Sequence, residues 1–376
     1  MTILSRRGAL MLPLGLAAFA SGCAQPSQQA LMPADPTGRA DPEQRALLES
    51  LLRQGTRPVE SLTVAQARVQ PSYADAVKLR AQELANMNPQ RVIGSYIDMP
   101  LNTLPNQLQA RLYRPIVTTP GPLPLIVYFH GGGWVIGGID TYDASARALC
   151  VEAGALVLSV HYRQGPESRF PAAHDDANVA WVWAITNAAS INADPNRIAI
   201  AGESAGGNLA INAAIYARDT GNRLPRAMAL IYPVAGTDLN TPSYTQFSNA
   251  VPLSKASIQW FVQNYTRGVA DLQDPRLDVV GKANLAGLPP AIIVNAEIDP
   301  LQSDGERLAA KLTAAGVPVQ HQLYTGVTHE FFGADAVLTK AKQAQSFVGE
   351  QLRAAFAAPV QAAPGPRGRR MRRPAM

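Results

Sequence analysis

Two apolar runs that each break on a glycine-rich turn constrain this chain more than anything else in it. The first, Pro124-Leu125-Ile126-Val127-Tyr128-Phe129, ends in His130-Gly131-Gly132-Gly133-Trp134; the second, Ile198-Ala199-Ile200-Ala201, ends in Gly202-Glu203-Ser204-Ala205-Gly206. Unbroken apolar strands are buried on both faces, as in a parallel sheet covered by helices. The periodic, Ala-rich segment from Asn208 to Arg218 puts a helix directly after the second turn. In a Gly-x-Ser-x-Gly turn between strand and helix, the glycines remove side chains that would collide, and the serine hydroxyl is pushed into the open. A loop of three glycines lets backbone N–H groups approach a substrate oxygen closely. One such donor aimed at a developing oxyanion is worth roughly 3–4 kcal/mol. Together the two motifs imply acyl-transfer chemistry.

A serine needs a neighbouring base, and the base needs a carboxylate to hold its tautomer. Of the five histidines, only His321 and His329 follow Ser204. His321 sits inside the alternating run 319–324, whereas His329 lies beyond it in a loop opened by Gly326, where functional groups concentrate. His329 is therefore the expected base. His174 reads as a solvated or capping residue at a helix start. Two acids follow the apolar run 291–295: Asp299, in the loop before Pro300, and Asp304, in the first turn of a helix over 303–315, where an acid complements the helix dipole. Asp299 is the favoured partner and Asp304 the competitor. The N–H of Ala205, at a helix N-terminus, is a candidate oxyanion donor.

The wider set of motifs resembles the alpha/beta-hydrolase superfamily and, within it, the bacterial hormone-sensitive-lipase-like carboxylesterases. Besides the two glycine motifs it includes Tyr162-Arg163 with Pro166-Glu167, Phe170-Pro171-Ala172-Ala173, Leu288-Pro289-Pro290-Ala291, Asp299-Pro300-Leu301 with Asp304-Gly305, and Gly326-Val327-Thr328-His329. The resemblance covers roughly residues 41 to 357. Gln164-Gly165 stands where Leu-Ala is usual, Gln302-Ser303 interrupts an acidic stretch, and Glu330 follows the histidine where glycine is common. The resemblance implies Ser204, Asp299 and His329 as catalytic residues, and Gly132 and Gly133 beside Ala205 as the oxyanion hole. It also implies a bracing role for the His130 side chain and a cap formed by 41–90 and 236–284. The implied substrate is a small carboxylic ester of short to medium acyl chain, with no cofactor and no metal.

Strands read at 92–100, 108–114, 124–129, 155–162, 197–201, 227–233, 290–296 and 319–324 alternate with helical stretches. This predicts an α/β fold with an eight-stranded, mostly parallel, doubly wound sheet. Trp181 and Trp183 read as packing anchors. Ahead of the sheet, Asp41, Pro42 and Gln44 look like a capped helix start, with Leu47, Leu48, Leu51 and Leu52 as its apolar stripe and Gly55 as its end. A second capping box pairs Thr63 with Gln66, and a third helix runs about 72–87. Within 236–284, Trp260, Phe261 and Tyr265 fall at helical spacing.

Residues 1–22 read as a targeting segment: Arg6 and Arg7 precede an apolar run, Ala9 to Ala20, too short to span a membrane comfortably. Ala20-Ser21-Gly22-Cys23 resembles a lipoprotein cleavage box, and Ser5-Arg6-Arg7 with Leu10 resembles a twin-arginine export signal. Cys23 would then carry the lipid anchor of an exported envelope protein, at the periplasm or outer-membrane face; the alternative is a soluble secreted or periplasmic protein. Residues 23–40 read as a tether, on the order of 23 Å if a flexible coil. With Cys23 lipidated, Cys150 is left to pack as a small buried apolar group, and two cysteines support no disulfide framework. The net charge of +5 comes from Arg6 and Arg7 and from five arginines in the acid-free stretch from Pro364 to Met376. The body is slightly acidic, so no nucleic-acid surface is expected, and 358–376 reads as a disordered basic tail.

Overall fold

A computed structural model describes residues 33–85, 90–103, 107–117 and 121–359. Cys23 and its cleavage box lie outside the described residues, as does the tail from 360 on. The strands are β1 (Ser95–Leu101), β2 (Leu108–Arg114), β3 (Leu123–Phe129), β4 (Leu156–His161), β5 (Ala193–Glu203), β6 (Met228–Ile231), β7 (Ala291–Ile298) and β8 (Val319–Thr328). They form one sheet in the order β1-β2-β4-β3-β5-β6-β7-β8. β2 runs antiparallel to β1 and β4, and every other pairing is parallel. The mostly parallel eight-stranded sheet is the expected one, with β5 starting earlier and β8 ending later than their apolar cores.

β3 shows why its sequence is unbroken. Leu125, Val127 and Phe129 enter the core on one side of the sheet, Ile126 and Tyr128 the core on the other, and all five are fully buried. The helices are α1 (Pro42–Arg53), α2 (Val64–Val69), α3 (Tyr73–Glu83), α4 (Asp143–Ala153), α5 (Ala172–Asn187), α6 (Ala205–Asp219), α7 (Pro242–Gln246), α8 (Lys255–Tyr265), α9 (Val279–Lys282), α10 (Gln302–Ala314) and α11 (Thr339–Ala357). α4 and α11 cover one face of the sheet, and α5, α6 and α10 the other. Trp181 is buried in α5, its indole N–H donating to the Arg223 carbonyl at 3.1 Å; Trp183 packs at the core margin. Cys150 is a buried free thiol whose pKa burial pushes up to about 12.

The N-terminal helices start mostly as expected. Thr63 with Gln66 and Ser72 with Asp75 close capping boxes. α1 is the exception: Asp41 is its N-cap, with Pro42 next, but makes no side-chain cap. The Asp41 N–H, which Gln44 would have to bind, donates instead to the Gly326 carbonyl at 2.8 Å. Gln44 is consequently buried against the Tyr73 hydroxyl, and the Asp41 carboxylate meets Lys340 at 2.5 Å. Leu47, Leu48 and Leu51 form the buried stripe.

The chain joins and leaves this body at opposite edges of the sheet. Arg39 pairs with Glu297 and Asp41 bonds Gly326, both near the carboxyl ends of β7 and β8. The end of α11 is held by Arg226, whose guanidinium donates to the carbonyls of Ala355 and Ala358. The Arg226 N–H donates to Ile198, at the amino ends of β5 and β6.

Candidate active site

Neighbouring strands carry the two glycine motifs. β3 lies between β4 and β5, so the strand order reverses there, and the loops leaving β3 and β5 open a crevice at the carboxyl edge of the sheet. Phe129 pairs with Gly202, which puts the glycine loop and the serine turn side by side.

Ser204 has φ 55 and ψ −119, a strained conformation that costs on the order of 1–3 kcal/mol and is held by its surroundings. Its N–H donates to Ile231 at 2.9 Å and its carbonyl accepts from Val234 at 3.1 Å. The turn packs so tightly onto the end of β3 that a Cβ on Gly206 would lie 2.0 Å from the Phe129 carbonyl oxygen. Ala205 opens α6, where the first N–H groups have no partner inside the helix. In the glycine loop, Gly132 has φ 95 and would place a Cβ 2.1 Å from the Ile136 carbonyl. Among the described residues, the N–H groups of Gly132 and Gly133 have no protein acceptor. His130 braces this loop: its ring stacks on Tyr162 at 4.3 Å, and Nδ1 lies 2.8 Å from the Gly131 carbonyl. Burial lowers its pKa to about 3, so it stays neutral.

His329 Nδ1 lies 2.6 Å from Asp299 Oδ2, and both residues are buried. The other Asp299 oxygen accepts the Leu301 N–H at 2.8 Å, which fixes the carboxylate. Burial alone would lower the His329 pKa, but the Asp299 charge and hydrogen bond outweigh it, and the pKa is raised. The Tyr232 ring packs 4.5 Å from the imidazole. The competitors are placed elsewhere. His321 lies exposed on β8. Asp304 is buried, and its Oδ2 accepts the N–H groups of Ala235 and Gly236, each at 2.9 Å. It thereby pins the start of the 236–284 insertion; burial raises its pKa to about 7. The reading of His174 as solvated or capping needs correction: it is buried, with Nδ1 2.9 Å from the Tyr265 hydroxyl and Nε2 2.9 Å from Asn208 Oδ1. It links α5, α6 and α8, a contact that sequence position on α5 does not reveal.

Ser204, His329, Gly132 and Gly133 line one cavity of about 240 Å³. In this conformation, among the described residues, no hydrogen bond joins the Ser204 hydroxyl to the imidazole, a looseness common before substrate binds. Apolar side chains from both expected cap regions complete the wall, Leu51, Ala67 and Val77 from one and Leu253, Ile258 and Phe261 from the other. The regions are joined by Glu60, which accepts from Ser254 at 3.2 Å and Ser257 at 2.9 Å, and by Trp260, which donates to the Leu62 carbonyl at 3.1 Å. Two acidic groups in the wall were not singled out as site residues from sequence. Glu203 is held by the hydroxyls of Tyr128, at 2.7 Å, and Tyr232, and burial raises its pKa to about 7. Glu330 accepts the Tyr142 hydroxyl at 2.6 Å. Among the described residues no group of three or more His, Cys, Asp or Glu side chains is placed to hold a metal.

A serine on a strained strand-to-helix turn, sharing a cavity with a buried histidine–aspartate pair beneath a glycine loop, defines a hydrolase of the alpha/beta type. A family model of the alpha/beta hydrolase fold matches residues 126–333. The carboxylesterase NlhH of Mycobacterium tuberculosis is 42% identical over 241 residues, 63% of this chain and 75% of that protein. The ethyl acetate hydrolase of Pseudomonas putida is 36% identical over 247 residues, 65% of this chain and 78% of that protein. The crystal structure of a thermostable esterase from Pseudomonas putida ECU1011 superimposes with a TM-score of 0.76 at 31% identity, covering 85% of this chain and 99% of that one. The chain belongs to the alpha/beta hydrolase fold family, in its hormone-sensitive-lipase-like branch.

Proposed function

We propose that Ser204 attacks the carbonyl of a short- to medium-chain carboxylic ester, with His329 taking and later returning the proton and Asp299 orienting His329. Backbone N–H groups of Gly132, Gly133 and Ala205 hold the tetrahedral oxyanion, and water then cleaves the acyl-enzyme. The chain is a carboxylic ester hydrolase, as are its relatives NlhH and ethyl acetate hydrolase. The observation that carries these residue roles is the buried 2.6 Å His329–Asp299 contact in the cavity wall that also holds Ser204. The apolar lining and modest volume of the cavity support the acyl-chain range. Turnover of p-nitrophenyl butyrate is expected to fall by about 10³-fold or more in Ser204→Ala. Turnover retained in that variant would remove Ser204 as nucleophile.

The same proposal extends to location: an envelope lipoprotein held through Cys23, supported by the leader and the Ala20-Ser21-Gly22-Cys23 box. No helix among the described residues is long and apolar enough to cross a membrane. Mass spectrometry of the mature N-terminus is expected to find an acylated Cys23; an unmodified cysteine would sink the anchor.

A further inference from the structure

Glu330 is a residue that the esterase reading does not use. It directly follows His329 and has φ 71, a conformation that disfavours side chains larger than glycine. It is half-buried, and it lines the cavity that holds Ser204. One of its oxygens accepts the Tyr142 hydroxyl at 2.6 Å. That hydroxyl sits against the glycine loop, 2.5 Å from where a Cβ on Gly131 would stand. One phenol therefore ties the carboxylate to the loop expected to hold the oxyanion. Among the described residues its second oxygen accepts no hydrogen bond, and no arginine or lysine forms an ion pair with Glu330. Nearby Glu203 is spoken for on both oxygens, by Tyr128 and Tyr232. An acceptor with an open oxygen, tied through Tyr142 to the glycine loop, lining the cavity that holds Ser204 and accommodated despite backbone strain, is placed to read the substrate.

We infer that Glu330 is a specificity-determining residue, selecting esters that carry a cationic or hydrogen-bond-donating group close to the ester bond and rejecting anionic ones. This rests on the esterase reading of the same cavity. The physical basis is twofold: a donor on the substrate satisfies the open carboxylate oxygen, and a substrate anion meets like charge in a site of reduced dielectric.

The test compares kcat/KM on two matched sets. One varies charge on the acyl side, with ethyl butyrate, ethyl 4-aminobutyrate and monoethyl succinate. The other varies it on the alcohol side, with 3,3-dimethylbutyl acetate and acetylcholine. The wild-type protein is expected to prefer the cationic member over the anionic or neutral one in at least one set. That ratio is expected to fall roughly tenfold or more in Glu330→Gln, which keeps size and removes charge. Glu330→Gly, which suits φ 71, should show the same loss of preference in a variant with less backbone strain. Tyr142→Phe, which unties the carboxylate, should weaken the preference in part. A ratio unmoved in both Glu330 variants, or an equal loss on every ester, overturns the inference. Ser204→Ala on ethyl butyrate separates the two claims: retained turnover there defeats the esterase mechanism, whereas lost turnover with an unmoved ratio defeats only the role of Glu330.

Discussion

The residues proposed to carry chemistry in this chain are recognisable where local sequence dictates their surroundings. Ser204 announces itself because only a glycine-flanked turn fits between β5 and α6, and His329 because it follows a strand instead of sitting inside one. The Asp299 side of the pair was harder to read. Asp304 lies five residues on, and only the structure shows its carboxylate turned to the backbone of Ala235 and Gly236. Nothing local marks Tyr142 as the partner of Glu330, since they are 188 residues apart. The proposed acid–base pair makes a pH prediction. A base must be neutral to accept a proton, and the His329 pKa is raised by Asp299 against the effect of burial. The acid limb of kcat/KM is therefore expected above the ordinary histidine value of about 6.5. In Asp299→Asn the limb should move to lower pH while kcat drops about 10³–10⁴-fold. A pH–rate profile that keeps its acid limb in place would separate the limb from this pair.

At the scale of elements, the inner strands were legible because both faces of the sheet are buried there and the apolar runs of β3, β4 and β7 are long. Helix starts were legible when the cap is local, as for Thr63, and misleading when a tertiary partner competes. α1 is the example: the Gly326 carbonyl takes the N–H that a capping box needs. The serine turn depends on close contact between elements instead of on any one of them. In Gly206→Ala, a methyl group would press into the Phe129 and His130 carbonyls at 2.0 and 2.4 Å. Neither backbone can yield without moving β3 or α6. The variant is expected to lose about 3 kcal/mol or more of stability and nearly all titratable serine, measured by thermal unfolding and by reaction with a phosphonate ester. Normal labelling would mean the turn has more slack than its packing indicates.

Across the whole molecule, the cavity is assembled from pieces that sequence order scatters. α8 reaches it from the insertion between β6 and β7, and its Phe261 ring rests on Gly133, where an added Cβ would come within 2.2 Å of the ring. Phe261→Ala is expected to shift the acyl-chain optimum of p-nitrophenyl esters toward longer chains, at a stability cost of about 3 kcal/mol. An unchanged chain-length profile would show that α8 does not bound the acyl group. The two ends of the folded body have a consequence of their own. The chain joins beside Glu297 and Gly326, at the edge where Asp299 and His329 sit, and leaves beside Arg226 at the far edge. An attachment made at the amino end of the described body falls on the edge that carries Asp299 and His329, whereas one made at its carboxyl end falls on the opposite edge. On a bead, a sensor chip or a bilayer, the choice of which end to attach is also a choice of which substrates, surface-borne or dissolved, the enzyme meets first.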